Sequence, residues 1–325
     1  MRSILFPISI LLVFSVILAM SFQPPSAPER MKAIGSTRGL SKTLRKALEP
    51  GTDFETIPTP QPGDWLAVHR EKGQTFDQFA KSNPNWPDKT RKKIYLQPLG
   101  QFPDGQLPLV ERLKEYAGAY FAMDVQVLPF LALSGNKIST RTNPHTKNRQ
   151  ILTADVLALL RKNLPADAFC LLAITMEDLY PDPSWNFVFG QAMLRGRVGV
   201  YSFARYDPAF YGEKRGSDYE YVLLRRSCKV LAHETTHMFG LRHCIYFKCV
   251  ANGYNHLKES DSRPLHLCPV CLRKLQHSVG FDVIDRYRRL LRFYQKIGFD
   301  KDAQWITTRL KHILGTEAAR LQDIQ

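Results

Sequence analysis

Three histidines and a glutamate stand within one short block, His233-Glu234-Thr235-Thr236-His237-Met238-Phe239-Gly240-Leu241-Arg242-His243. On a helix, residues four apart lie one above the other, so His233 and His237 can grip one ion. Gly240 falls where that helix must stop, because glycine accepts the left-handed backbone angles of a sharp turn. The turn can bring His243 round as a third ligand. Three neutral imidazoles leave a fourth position for water, the arrangement of a catalytic zinc site. Glu234 follows the first histidine and would reach that water as general base and acid. At average composition, five such fixed positions agree by chance on the order of once in a hundred thousand chains of this length.

Four cysteines follow at once, Cys244, Cys249, Cys268 and Cys271. Cys268-Pro269-Val270-Cys271 is a tight turn that points two sulfurs at one metal, and Cys244 and Cys249 supply the other pair. Four thiolates make a closed, structural zinc site that contributes folding energy. Two zinc ions per chain are therefore expected. The alternative is one or two disulfides, which an exported chain could form. Cys170 and Cys228 lie in apolar contexts and read as core thiols, or as a disulfide with each other. His256 and His266, between the cysteine pairs, read as solvated loop residues that could also line a cleft. Tyr246 and Tyr254 are near enough in sequence to offer a hydroxyl to a transition-state oxyanion.

These residues need elements to hold them. Tyr219 to Phe239 reads as one long helix with two stripes. Leu224, Leu231 and Met238 pack inward, and the histidines occupy the other face. Before it, strands alternate with helices, an α/β pattern. Strands are expected at 92–99, 124–133, 169–175, 187–192 and 198–203. Helices are expected at 107–121 and at 154–164, the latter capped by Thr153. Phe169 to Thr175 is a continuous apolar run, which marks a strand buried on both faces. After the metal-type residues the chain is mostly helical, with helices at 269–277, 283–295 and 301–314.

Residues 1–21 read as an export signal. Arg2 precedes an apolar run from Ile4 to Met20, and Ala19-Met20-Ser21 offers the small residues a signal peptidase reads. An uncleaved membrane anchor is the alternative, since the run is marginal for spanning a bilayer. Secretion or a periplasmic location follows in either case. Residues 22–60, rich in Pro, Ser, Arg and Lys, read as linker or extension with a short helix at 42–48. The body then divides at 240, with an upper subdomain at 61–240 and a lower helical one at 241–325. The chain has 325 residues, 44% of them hydrophobic, and a formal net charge of +15. That length can bury a sizeable core. The basic residues are spread along the chain without a nucleic-acid-binding signature, so no specific nucleic-acid partner is expected.

The block from His233 to His243, followed by Cys244, Cys249, Cys268 and Cys271, resembles the archaemetzincin (archaelysin) family of zinc metallopeptidases. Further stretches resemble its eukaryotic-type members, among them Ser184-Trp185-Asn186-Phe187-Val188-Phe189-Gly190-Gln191-Ala192, Tyr201-Ser202-Phe203-Ala204-Arg205-Tyr206 and Arg263-Pro264-Leu265. The likeness covers roughly residues 55 to 300. It implies a metzincin-like α/β fold: a mixed twisted sheet with an antiparallel edge strand, an active-site helix and a mainly helical C-terminal subdomain. It implies catalytic zinc on His233, His237 and His243, Glu234 as general base and acid, and a second zinc on the four cysteines. A peptide or protein substrate would lie extended along 186–192, and the chain would act as a monomer. Two departures stand out. The family carries a methionine in a turn beneath the zinc, where this chain has Ala251, and Thr236 replaces a small residue before the second histidine. The missing thioether motivates the alternative of a zinc-stabilised module that binds peptides without cutting them.

Overall fold

A computed structural model describes residues 22–102 and 107–315. The apolar run at 4–20, expected as an export signal, lies outside them. In chain order the regular elements begin with α1 (Ala27–Ile34), α2 (Lys42–Leu48), α3 (Trp65–Val68) and α4 (Phe76–Lys81). Next come β1 (Lys93–Leu99), α5 (Leu107–Phe121), β2 (Asp124–Val127), β3 (Thr140–Thr142), β4 (Arg149–Leu152) and α6 (Thr153–Lys162). Then follow β5 (Ala168–Thr175), β6 (Asp178–Tyr180), β7 (Gly190–Ala192), β8 (Val198–Ser202) and α7 (Tyr219–Met238). The described residues close with α8 (Leu257–Asp261), α9 (Pro269–Val279), α10 (Val283–Ile297) and α11 (Asp300–Leu314).

The larger sheet has the order β2-β1-β5-β8-β7, with β7 antiparallel at one edge and the other pairs parallel. Every residue of β5 is buried, because helices cover both of its faces. Its side chains alternate between two cores. Cys170, Leu172 and Ile174 join the cluster that holds Leu223, Leu224 and Leu231 of α7. Leu171 and Ala173 join Val156, Leu157 and Leu160 of α6. A smaller sheet, β3-β4-β6, stands beside the first. It carries the loop from Pro181 to Phe189: Arg141 donates to the carbonyls of Pro183, Trp185 and Asn186. The mixed α/β architecture expected from the pattern is therefore present, with α7 laid across the sheet.

Several local expectations are corrected. Residues 22–60 are not a bare linker. α1 and α2 bring Ala33, Ile34, Leu44, Ala47 and Leu48 into the main core. The short helix expected at 42–48 is α2, whereas few apolar residues among many polar ones disguise α1, and tertiary contacts hold both. Arg309, fully buried, donates to the carbonyls of Lys46, Ala47 and Glu49 and so closes the C-terminal end of α2. The strand at 124–133 stops at Val127; Pro129 has no N–H for a ladder, and Leu131 rejoins β1 only as an isolated bridge to Leu99. Thr153 is the first residue of α6 rather than its cap, and Leu152 stands at the cap position. The Thr153 hydroxyl instead turns to Tyr180 O, 3.4 Å away, and to the Gln191 side chain. The strand at 187–192 keeps regular pairing only over Gly190–Ala192. No helix among the described residues is long and apolar enough to cross a membrane.

Candidate metal centre

α7 ends where the sequence requires it to. Gly240 has φ +86°, its N–H donates to His237 O at 2.8 Å, and Leu241 N–H donates to Thr236 O at 3.2 Å. This double closure terminates a helix on a left-handed glycine. The chain then doubles back and delivers His243. The ligand-type nitrogens of His233, His237 and His243 all lie within 4.8 Å of one another.

Each ring has one nitrogen already committed. His233 Nδ1 meets Val250 O at 2.9 Å, His237 Nδ1 meets Leu241 O at 2.7 Å, and His243 Nδ1 meets Glu71 Oε1 at 2.6 Å. These partners can only accept, so Nδ1 carries a proton in all three rings and each Nε2 is turned toward the other two; in His233 and His237 it is a bare lone pair. His233 Nε2 and His237 Nε2 face each other at 3.1 Å, two acceptors with no hydrogen between them. Burial, then the neighbouring histidines, holds His233 well below the ordinary imidazole range. Burial, then His243, brings His237 down to about 4. Two neutral rings and a third brought beside them fit a cation such as zinc.

Glu234 is buried and opens onto the same cleft, whose volume is about 670 Å³. Burial raises its carboxyl to about 8. Aromatic residues wall the cleft: Trp65, Trp185, Phe187, Phe189 and Tyr254. β7 forms its edge. Ser202 N–H donates to Phe189 O and Met193 N–H to Val198 O, both at 2.9 Å. Gly190 and Ala192, alternate to those positions, therefore turn their N–H and C=O groups away from β8.

The four cysteines are free, buried and clustered, with Sγ of Cys244 and Cys268 at 3.5 Å. Four sulfurs about 2.3 Å from one zinc would stand about 3.8 Å apart, so the spacing fits a tetrahedral ion. The loop is stitched by Asn252, which accepts from Cys249 N at 2.7 Å and donates to Cys244 O at 2.7 Å and Phe247 O at 3.0 Å. Ala251 is buried within this loop, directly after the carbonyl that receives His233. Cys170 and Cys228 are free, buried thiols, and burial pushes both up.

Other expected residues fall elsewhere. Thr236 does not crowd the cleft, because its hydroxyl folds back to His233 O at 2.7 Å. His266 stacks flat on Trp305, 3.7 Å between ring centroids, and lies away from the cleft. His256 accepts from Glu259 N at 3.1 Å through Nδ1 and meets Asp64 at 3.2 Å through Nε2. That fixes its tautomer, so the group Asp64, His256 and Glu259 is spent on structure. Tyr254 does line the cleft, its ring 5.5 Å from that of His233, whereas Tyr246 does not. Sequence reasoning passed over Glu71 and Trp65. Nothing local marks them, since Glu71 meets a histidine 172 positions away.

Residues 139–277 match the family model described as peptidase family M54. The chain is 42% identical over 284 residues to archaemetzincin-2 of Macaca fascicularis, covering 78% of this chain and 79% of that one. It is 41% identical over 283 residues to archaemetzincin-2 of Mus musculus, with the same coverage. A crystal structure of archaemetzincin from Methanopyrus kandleri is similar at 28% identity and a TM-score of 0.47, covering 60% of this chain and 99% of that one.

Proposed function

The chain belongs to the archaemetzincin family of zinc metallopeptidases, and on that premise we propose that it hydrolyses peptide bonds in the cleft between β7 and the three histidines. The observation that carries this reading is the meeting of three histidine nitrogens with the buried Glu234 carboxylate in one cleft. His233, His237 and His243 would hold the catalytic zinc through Nε2. Zinc held there polarises a peptide carbonyl and acidifies water.

The chain's own groups do the rest. Glu234 takes the proton of the attacking water on a carboxylate oxygen and passes it to the departing amide nitrogen. Burial raises its affinity for that proton, and a cation on the imidazoles lowers it. The outward N–H and C=O groups of Gly190 and Ala192 pair with an extended substrate as one more strand. Substrates are therefore peptides or unfolded segments of proteins, and apolar side chains suit the aromatic walls. The four cysteines hold a second, structural zinc, which makes two ions per chain. The protein works as a monomer, without a nucleic-acid partner, after export directed by residues 1–21. The alternative of a peptide-binding module that does not cut is not favoured by the family.

The test is Glu234→Gln, which removes the proton carrier and keeps the shape. Cleavage of a mixed-peptide library should fall about 10²–10⁴-fold while the zinc content stays at the parent value. Cleavage at the parent rate would overturn the mechanism.

A further inference from the structure

The three imidazoles are not supported alike. His233 and His237 stand on α7 and give their Nδ1 protons to the neutral carbonyls of Val250 and Leu241. His243 stands beyond Gly240 on a stretch without regular structure, and it alone of the three meets a carboxylate, Glu71, at 2.6 Å. A carboxylate behind a ligating histidine fixes the ring's orientation and raises its basicity. The ligand with the least support from its own backbone thus has the strongest partner.

Glu71 is itself held. Trp65 Nε1 donates to the same carboxylate oxygen at 2.7 Å. The indole stands edge-on to His243, 5.0 Å between centroids, and presses on Gly253, where a Cβ would come within 2.6 Å of the ring. Trp65 N–H is anchored on Glu259 at 3.0 Å. At the other end of the segment, Gln74 accepts from Arg242 N at 3.2 Å and donates to Gly240 O at 3.3 Å. The segment from Trp65 to Gln74 therefore grips the Gly240–His243 turn from both ends.

We propose that Glu71, steered by Trp65, is a positioning residue for the metal, so that affinity at the three-histidine site depends on a segment outside the 139–277 region matched by the family model. This rests on the metal reading above. It places part of the metal site's strength in the N-terminal third of the chain, and it assigns the segment a role beyond covering the core.

The experiment measures zinc dissociation by competition with a chromophoric chelator in the full mature chain, for the parent, Glu71→Ala and Glu71→Gln. Cobalt substitution runs in parallel, because the four-cysteine site gives a thiolate-to-cobalt absorption that reports an intact fold independently of the histidines. Glu71→Ala should weaken the three-histidine site about 10–100-fold and shift its cobalt d–d bands, with the thiolate absorption unchanged. Glu71→Gln keeps an oxygen for His243 and Trp65 but loses the charge. It should weaken the site less than Glu71→Ala does, and it carries the test if the alanine variant does not fold. Affinities of both variants within twofold of the parent would overturn the clamp and leave the peptidase reading standing. A parent that loads only the cysteine site would overturn both.

Discussion

Gly190 on the edge strand and Glu234 on α7 are in direct apposition: a Cβ on Gly190 would lie 2.6 Å from Oε1 of Glu234. The carboxylate that is to carry the proton thus occupies the space a side chain would take. Gly190→Ala should push Glu234 aside without touching a metal-type residue. We expect kcat to fall on the order of 10²-fold, with zinc content and thermal midpoint close to the parent's. Unchanged kcat would mean that Glu234 has room to spare.

The two metal-type sites should differ in how they lose an ion. The histidines face an open cleft, and the cysteines are sealed in the core. A moderate chelator should remove one zinc and all activity while far-ultraviolet dichroism stays unchanged. Cys271→Ser should instead yield a chain with a markedly lower thermal midpoint, because structural zinc binding is folding free energy. Loss of structure on removal of the first ion would contradict this order.

Arg309 should matter for stability far from any chemistry. It is fully buried, pairs with Asp53 at 3.3 Å and serves three carbonyls at the end of α2. Arg309→Met removes the donor that Asp53 and those carbonyls share, and Lys46 O keeps only the Glu49 N–H at 3.3 Å. The cost should be about 3–5 kcal/mol in denaturant unfolding, with new proteolytic cleavage within 22–60. A loss below about 1 kcal/mol would show that water replaces the guanidinium without penalty.

Acid should act on the stack of His266 and Trp305. Burial, followed by the charges of Arg309, Arg225 and Arg286, brings His266 from 6.5 down to about 3. Between those values the unfolded chain binds a proton that the folded chain refuses. The contribution to stability is therefore whole above pH 6.5 and is lost as the pH falls toward 3. His266→Phe keeps a ring on Trp305 and removes the proton. Its unfolding midpoint should fall less steeply with acid than the parent's over that window, and parallel curves would assign the acid sensitivity to other groups.

Local periodicity made the centre of the site legible. His233 and His237 are one helical turn apart, Gly240 stops the helix, and Cys268 and Cys271 share one tight turn, so short stretches of sequence encode these relations. α5 and α7 were legible for the same reason, since their apolar stripes repeat over several turns. Contacts closed across the chain were not. Glu71 is one carboxylate among many until folding sets it against His243, and Trp65 gains its role only from Gly253 beneath it. α1 was missed because Ala33 and Ile34 are too small an apolar patch to show a period. β7 was overdrawn because Phe187 and Val188 have strand composition but serve the cleft wall.

The clasp of Arg309 on α2 also orders events during synthesis. The carbonyls at the end of α2 are among the first made, and the guanidinium that receives them is among the last. A growing chain therefore passes through nearly its whole length before the end of α2 is closed. Segment 61–74 follows α2 after residues 49–60, so it is joined to that unfinished end until α11 emerges. A chain cut short before residue 309 would carry every histidine and cysteine of the two sites and still lack the side chain that closes α2.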